Sequence, residues 1–351
     1  MGTLSVTEMQ DILRGAGILG TGGGGDPVKA GILIERIARA GRKVRLVGMD
    51  ELGDDEVICT IFMVGSSGSN EMFIDLKPVL KNLENYIGTK FSAIIPVEIG
   101  AGAVAETFYL SSSICLPVLD ADIVGGRSSP EVYIETITMC GIQRTPLIAI
   151  NINGKCKFIR SAVSPKKIEK ILRDFAKKSG GYVYVVGYPM KVSDIKYVVG
   201  TGTISKARQI GKNIRVSLKN GANPIDCLAK SIGAKELFRG DIKHVEINDR
   251  DGFLTGSLII SGKDRYTDSE LKIWFKNENI VSWLDGNPLV TIPDLICVID
   301  KNGYGVYNRD VRKGMAVSVI GMQSLPLWRT KKGLNLFSPE SFGFNIEYKP
   351  I

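Results

Sequence analysis

The sequence has a single histidine, His244, in 351 residues. A Ser-His-Asp triad would hang on that one imidazole, and no G-x-S-x-G elbow accompanies it. Zinc held by several histidines is impossible, and His244, inside the β-like run Lys243-His244-Val245-Glu246, reads as an ordinary strand residue. Cysteine is sparse too. The six stand singly at 59, 115, 140, 156, 227 and 297. That scatter offers no C-x-x-C pair for zinc or redox chemistry, and a chain this long needs no disulfide staples. No run of about 18 apolar residues exists, so no membrane span is expected. The N-terminus lacks a charged segment followed by an apolar one, so no secretory signal is expected. These absences point to a soluble, reduced, cytoplasmic protein.

What is abundant is glycine, 40 residues or about 11% against a usual level of roughly 7%. With no collagen period, the excess marks tight turns and close backbone approaches. Hydrophobic residues at 44% and charged residues at 23% are ordinary globular composition and argue against disorder. The net charge of +8 is not gathered in one block. Its densest stretch, Lys166 to Lys178, carries Ile168, Ile171, Leu172 and Phe175 at the spacing of an amphipathic helix, so its cations read as a solvated face. No recognisable module supports nucleic-acid binding.

Ser5 with Glu8 has capping-box spacing, and Leu4 with Met9 sits at staple positions, predicting a helix from Val6 to about Arg14 with Gly15 and Gly17 weakening its end. A second helix is predicted to start at Asp26-Pro27 and to end at Gly41. Short apolar runs follow. Val44–Met49, Val57–Val64, Phe91–Val97, Leu116–Leu119 and Pro146–Ile150 read as strands, with a helix over Met72–Tyr86 interrupted near Pro78. Strands alternating with helices predict a three-layer α/β/α domain over residues 1–165. Residues 166–351 form the second domain, with a helical lead-in over 166–240 that includes the β-like run Tyr182–Tyr188. From 241 to 351 short strands separated by turn groups such as Asp249-Arg250-Asp251-Gly252 predict a β-rich, barrel-like structure.

Chemistry has three places to sit. Gly22, Gly23, Gly24 and Gly25, followed by Asp26, could turn N–H groups toward a ligand at a helix start. The order helix–glycines–helix fits neither a dinucleotide fingerprint nor a Walker loop, so no nucleotide cofactor is expected. The loops after three strands carry Glu71, Glu98, Asp120, Asp122 and Arg127, which parallel strands would bring to one edge. Carboxylates held close can split their pKa values and supply a general base, or cradle a divalent metal. Finally, Asn277, Glu278, Asn279 and Asp294 could reach across a junction between the halves.

At these segments the chain resembles the S-methyl thiohydantoin desulfurase family. The resemblance rests on Gly-Thr-Gly-Gly-Gly-Gly-Asp-Pro at 20–27, Glu98-Ile99-Gly100, Leu116-Pro117-Val118-Leu119-Asp120-Ala121-Asp122 and Gly126-Arg127 through Pro130-Glu131. Downstream, Gly252-Phe253, Phe275-Lys276-Asn277-Glu278-Asn279, Ile292-Pro293-Asp294-Leu295-Ile296 and Ser341-Phe342-Gly343-Phe344 extend it along the whole chain. It implies an N-terminal α/β domain, a β-rich C-terminal domain, and hydrolysis of hydantoin-like rings. The model reaction converts an S-methyl thiohydantoin to a hydantoin with loss of methanethiol. The family is associated with hydantoinase and oxoprolinase-type proteins, so a non-catalytic binding protein partnering such an enzyme is the alternative. Ala101-Gly102-Ala103 and Ser128-Ser129 depart from the family pattern, and where they touch substrate they would alter ring specificity.

For a hydrolase, Glu98 or Asp122 is the expected base, with Asp120 orienting it. Gly22 to Gly25, Asp26, Glu71, Arg127, Asn277 and Glu278 are the expected substrate contacts. The sequence fixes neither a metal nor an oligomeric state; association into dimers is only a common prior.

Overall fold

The computed structural model describes residues 2–65, 74–161, 164–250 and 253–351, and of 229–231 and Arg250 only the backbone. Glu71, the residues Met72 and Phe73, and the turn at Asp251-Gly252 lie outside the described residues.

The chain belongs to the α/β class and has two sheets of seven strands. In the first the strand order is Leu46–Val47, Val118–Leu119, Phe91–Ile94, Val57–Gly65, Tyr182–Lys191, Leu147–Ile150, Cys156–Ile159. The first four run parallel, and the remaining pairings are antiparallel. Alternation assigns its two faces. Val183 and Val185 pack with Leu147 and Ala149 under the helix Pro165–Lys177, whereas Tyr182, Tyr184, Ile148 and Ile150 pack under the helix Lys77–Ile87. This is the expected three-layer arrangement. Tyr182–Lys191, from the second half of the sequence, fills a central place in this sheet. Division at residues 165/166 separates stretches of sequence and not sheets.

The second sheet is antiparallel and curled, in the order Asn287–Thr291, Glu278–Leu284, Glu270–Lys276, Phe253–Gly262, Lys235–Arg250, Ala316–Met322, Leu295–Asp300. Leu258, Ile260, Leu271, Ile273 and Phe275 alternate into its inner core. Ile296 and Val298 join them, while Leu295, Cys297 and Ile299 face the other way, into a core shared with the N-terminal helices. The two domains are thus packed through one continuous apolar layer.

Several helices differ from the sequence reading. The first runs Val6–Leu19, past both glycines, with the Ser5–Glu8 capping box in place. It continues because Gly15 meets the helix Thr203–Lys219 backbone to backbone: a methyl on Gly15 would lie 1.9 Å from the Ala207 carbonyl oxygen. Gly211 makes the reciprocal approach, a methyl there lying 1.9 Å from the Asp11 carbonyl oxygen. Pro78 does not interrupt its helix but sits in the first turn of Lys77–Ile87, where a missing N–H costs nothing. Within the predicted helical lead-in over 166–240, Val192–Ile195 and Thr203–Lys219 are separate helices with the short strand Gly200–Thr201 between them.

Candidate active site

The glycine stretch between the first two helices is a junction. Asp26 closes it as N-cap of the helix Pro27–Arg39, accepting from the N–H groups of Val28 and Lys29. Every one of the four glycines is pressed against another segment. A methyl on Gly22 would lie 2.3 Å from Asn308 Nδ2, and one on Gly23 would lie 1.9 Å from Glu278 Oε1. Gly24 faces Ser128 and Gly100, and Gly25 faces Gly102. The backbone ties the same segments together. Thr21 and Gly22 carbonyls accept from the N–H groups of Asn279 (2.7 Å) and Asn308 (2.8 Å), and the Gly24 carbonyl accepts from Gly102 (2.9 Å). Four glycines exceed what a turn needs because four separate pieces of chain, at Gly100–Gly102, Ser128, Glu278–Asn279 and Asn308, come within atomic contact of this one.

Beside this junction lies a cavity of about 280 Å³. Gly23, Gly24 and Gly25 line it, with Glu98 at the end of the Phe91 strand segment and Asn277 and Glu278 from the second sheet. Asn277 holds a left-handed backbone (φ 57°) that turns one strand into the next, and its side chain accepts from the Leu254 N–H at 2.9 Å. That turn delivers Glu278, 2% exposed, against the glycines. The Gly24 N–H lies on the side of the Glu278 carboxylate and favours its charged form. Among the described residues Glu278 Oε2 has no hydrogen-bond partner.

Glu98 is partly open to the cavity and accepts from the Ser129 N–H at 3.0 Å. Desolvation pushes its carboxyl up to about 7, against the Ser129 N–H, which favours the charged form. Glu278 is held well above the carboxylate range by burial first and then by the charge of Glu98, with Arg127 pulling the other way. The charge of Glu98 thus raises the proton affinity of Glu278 across the domain junction, while that of Asp122 raises Glu98.

The other predicted residues are elsewhere. Asp122, fully buried, accepts from the N–H groups of Val124 (3.0 Å), Gly125 (2.7 Å) and Gly126 (2.7 Å). Burial pushes it up to about 7, opposed by those donors and by Thr203. Asp120 accepts from the Ser205 N–H at 2.9 Å, at the start of the helix Thr203–Lys219. Neither carboxyl lines the cavity; Asp122 pins the loop Val124–Gly126, and Asp120 ties its strand end to the start of the helix Thr203–Lys219. Arg127 is fully buried, and it too is absent from the wall, as are Gly22 and Asp26.

Sequence reading missed Glu135, Arg173, Tyr307 and Arg309, all of which line the cavity. Glu135 is fully buried, paired with Arg144, and pushed up to about 7 by desolvation. Arg173 was assigned to the solvated face of its helix. Instead it bonds the buried Glu169 one turn earlier at 2.8 Å and covers the Phe253 ring. A glutamate at an apolar-face position, four residues before an arginine, was the available signal. Among the described residues no group of three or more histidine, cysteine or acidic side chains is arranged to hold a metal ion, and no helix is long and apolar enough to cross a membrane.

Comparison with known proteins agrees with this architecture. A crystal structure of a protein from Chromobacterium violaceum, a Northeast Structural Genomics Consortium target, superposes with a TM-score of 0.82 over 100% of both chains at 21% identity. That likeness establishes the fold. No match is found among curated proteins. The S-Me-THD-like N-terminal domain matches residues 7–161 and the S-Me-THD-like C-terminal domain residues 163–351. Covered from end to end by these two domains, the chain belongs to the S-methyl thiohydantoin desulfurase family.

Proposed function

We propose that the protein is a hydrolase of hydantoin-like five-membered rings, with Glu98 and Glu278 as its acid–base pair and an S-methyl thiohydantoin as the model substrate. The observation that carries this reading is the meeting of two coupled carboxyls from different domains on one cavity wall. Glu98, closer to neutrality and open to the cavity, serves as base. Glu278, which keeps its proton, serves as acid.

Water adds to the ring carbon that bears sulfur. Glu98 takes one water proton as the C–O bond forms, and Glu278 gives its proton to the adjacent ring nitrogen. Collapse of the tetrahedral carbon then forms the carbonyl and breaks the C–S bond. The hydroxyl proton returns to Glu278, and methanethiolate leaves with the proton held by Glu98. Both carboxyls end as they began. Asp122 contributes by pinning the loop Val124–Gly126, Asp120 by tying its strand end to the helix Thr203–Lys219, and Arg127 by its buried charge.

Methanethiol release from an S-methyl thiohydantoin tests the proposal. E98Q and E278Q should each lower turnover by about 10²-fold or more while melting as folded proteins. The pH dependence follows from the roles. Activity should rise as Glu98 loses its proton near pH 7 and fall at higher pH as Glu278 loses its own. Full turnover in both folded variants would remove the pair from the chemistry. Tight binding of a hydantoin without thiol release would favour the binding-protein alternative.

A further inference from the structure

We propose that Arg127 is a positioning residue whose buried charge, locked across the domain junction, sets the proton affinity of the Glu98–Glu278 pair without touching substrate. This rests on the acid–base reading above for its consequence, but not for its test.

The guanidinium is fully enclosed and its hydrogen bonds go to uncharged oxygens. Nε donates to the Ser128 carbonyl at 3.0 Å, and Nη1 donates to the carbonyls of Pro293 and Asp294. Nη2 reaches Thr21 Oγ1 at 3.4 Å. The ring of Phe337 covers one face, 4.8 Å from the guanidinium carbon. Among the described residues Arg127 makes no ion pair. A cation in such a seat is stabilised by those oxygens and by the field of the acids nearby. Those facing it are Glu278, Asp294 and Glu98, with the Cys297 thiol; Asp122 faces Glu98, and Lys206 faces Cys297.

The seat is itself braced. Asp294 Oδ1 accepts from the Ser324 N–H and hydroxyl, both at 2.9 Å, and Oδ2 accepts from Tyr348 Oη and the Ile351 N–H. This fixes the Pro293–Asp294 backbone that receives Arg127. Thr21, on the opposite side, begins the glycine junction. The arginine therefore joins the two segments that present Glu278 to Glu98, and its position relative to the pair is set by both domains.

The test follows the carboxyl carbons of [δ-13C]glutamate-labelled protein by NMR titration, with E98Q and E278Q identifying the two signals. Because Arg127 favours both charged forms, removing its charge should raise both midpoints. R127Q should move them up by about 1 unit. R127K, which keeps a charge but not the forked donors, should fall between wild type and R127Q. If R127Q does not fold, the shift in R127K alone decides. Midpoints that stay put in a folded variant, or the reverse order, overturn the proposal. The titration reads Arg127 even if wild type releases no methanethiol, so a wrong reaction and a wrong role for Arg127 give different results. If turnover is present, its acidic limb should move up with the midpoints; lost turnover with an unmoved limb would mark a merely structural arginine.

Discussion

At Glu278, burial and the neighbouring Glu98 act in the same direction, and both keep the proton on. At Glu98 burial and the charge of Asp122 act against the Ser129 N–H, and the result lies within reach of neutral pH. That difference is what makes a pair of chemically identical side chains able to play different parts. It depends on a glycine. With 1.9 Å between a Cβ at position 23 and Glu278 Oε1, G23A cannot keep the carboxyl where it is. We expect G23A to lose turnover about as severely as E278Q while keeping most of its melting temperature, since the displaced group is one side chain at a cavity wall. A G23A protein with wild-type thiol release would show that Glu278 need not sit against the glycines. The sequence displayed Glu98, Glu278 and the glycines as candidates, because acids and glycines in strand-end loops are visible in one dimension. It gave no means of seeing that Asp120 and Asp122 turn inward. Asp122 is followed at once by the backbone N–H groups of Val124, Gly125 and Gly126, and loops satisfy such donors with the nearest carboxylate, whereas the donor that takes Asp120 is Ser205, 85 residues on and invisible in one dimension.

At the scale of elements, close helix crossing is the organising feature. The helices Val6–Leu19 and Thr203–Lys219 meet at Gly15 and Gly211, and flanking ion pairs fix the crossing: Arg215 grips Asp11 through two bonds of 2.8 Å, and Arg208 meets Glu8 at 3.1 Å. A side chain at Gly211 must force the backbones apart. G211A should therefore destabilise by about 1–3 kcal/mol or more, measured by urea denaturation, despite alanine's better helix propensity. A neutral or stabilised G211A would mean that the crossing relaxes freely. Glycines that look like helix breakers in a single chain are contact points when a partner helix is 190 residues away, and local propensity carries no trace of that partner. Local signals, by contrast, survive intact: the capping box, the β-like run Tyr182–Tyr188 and the apolar stripe of Pro165–Lys177 all fold as read.

For the whole molecule, the consequence is that the candidate site belongs to neither domain. The first sheet is completed by a strand from the second half of the chain, the second sheet shares a core with the N-terminal helices, and the cavity takes walls from both. The sequence boundary drawn near residue 165 stands ahead of the helical lead-in to the β-rich region, and two family domains divide at nearly the same place. Three-dimensional contacts cross that line repeatedly. The central claim is that Glu98 and Glu278, one from each side, share a single electrostatic environment. The most direct measurement is the titration midpoint of the Glu278 carboxyl in wild type and in E98Q, by 13C NMR. Removing the Glu98 charge should lower that midpoint, leaving it still elevated by burial. An unchanged Glu278 midpoint in folded E98Q would show that the two carboxyls do not sense each other, and would contradict the account.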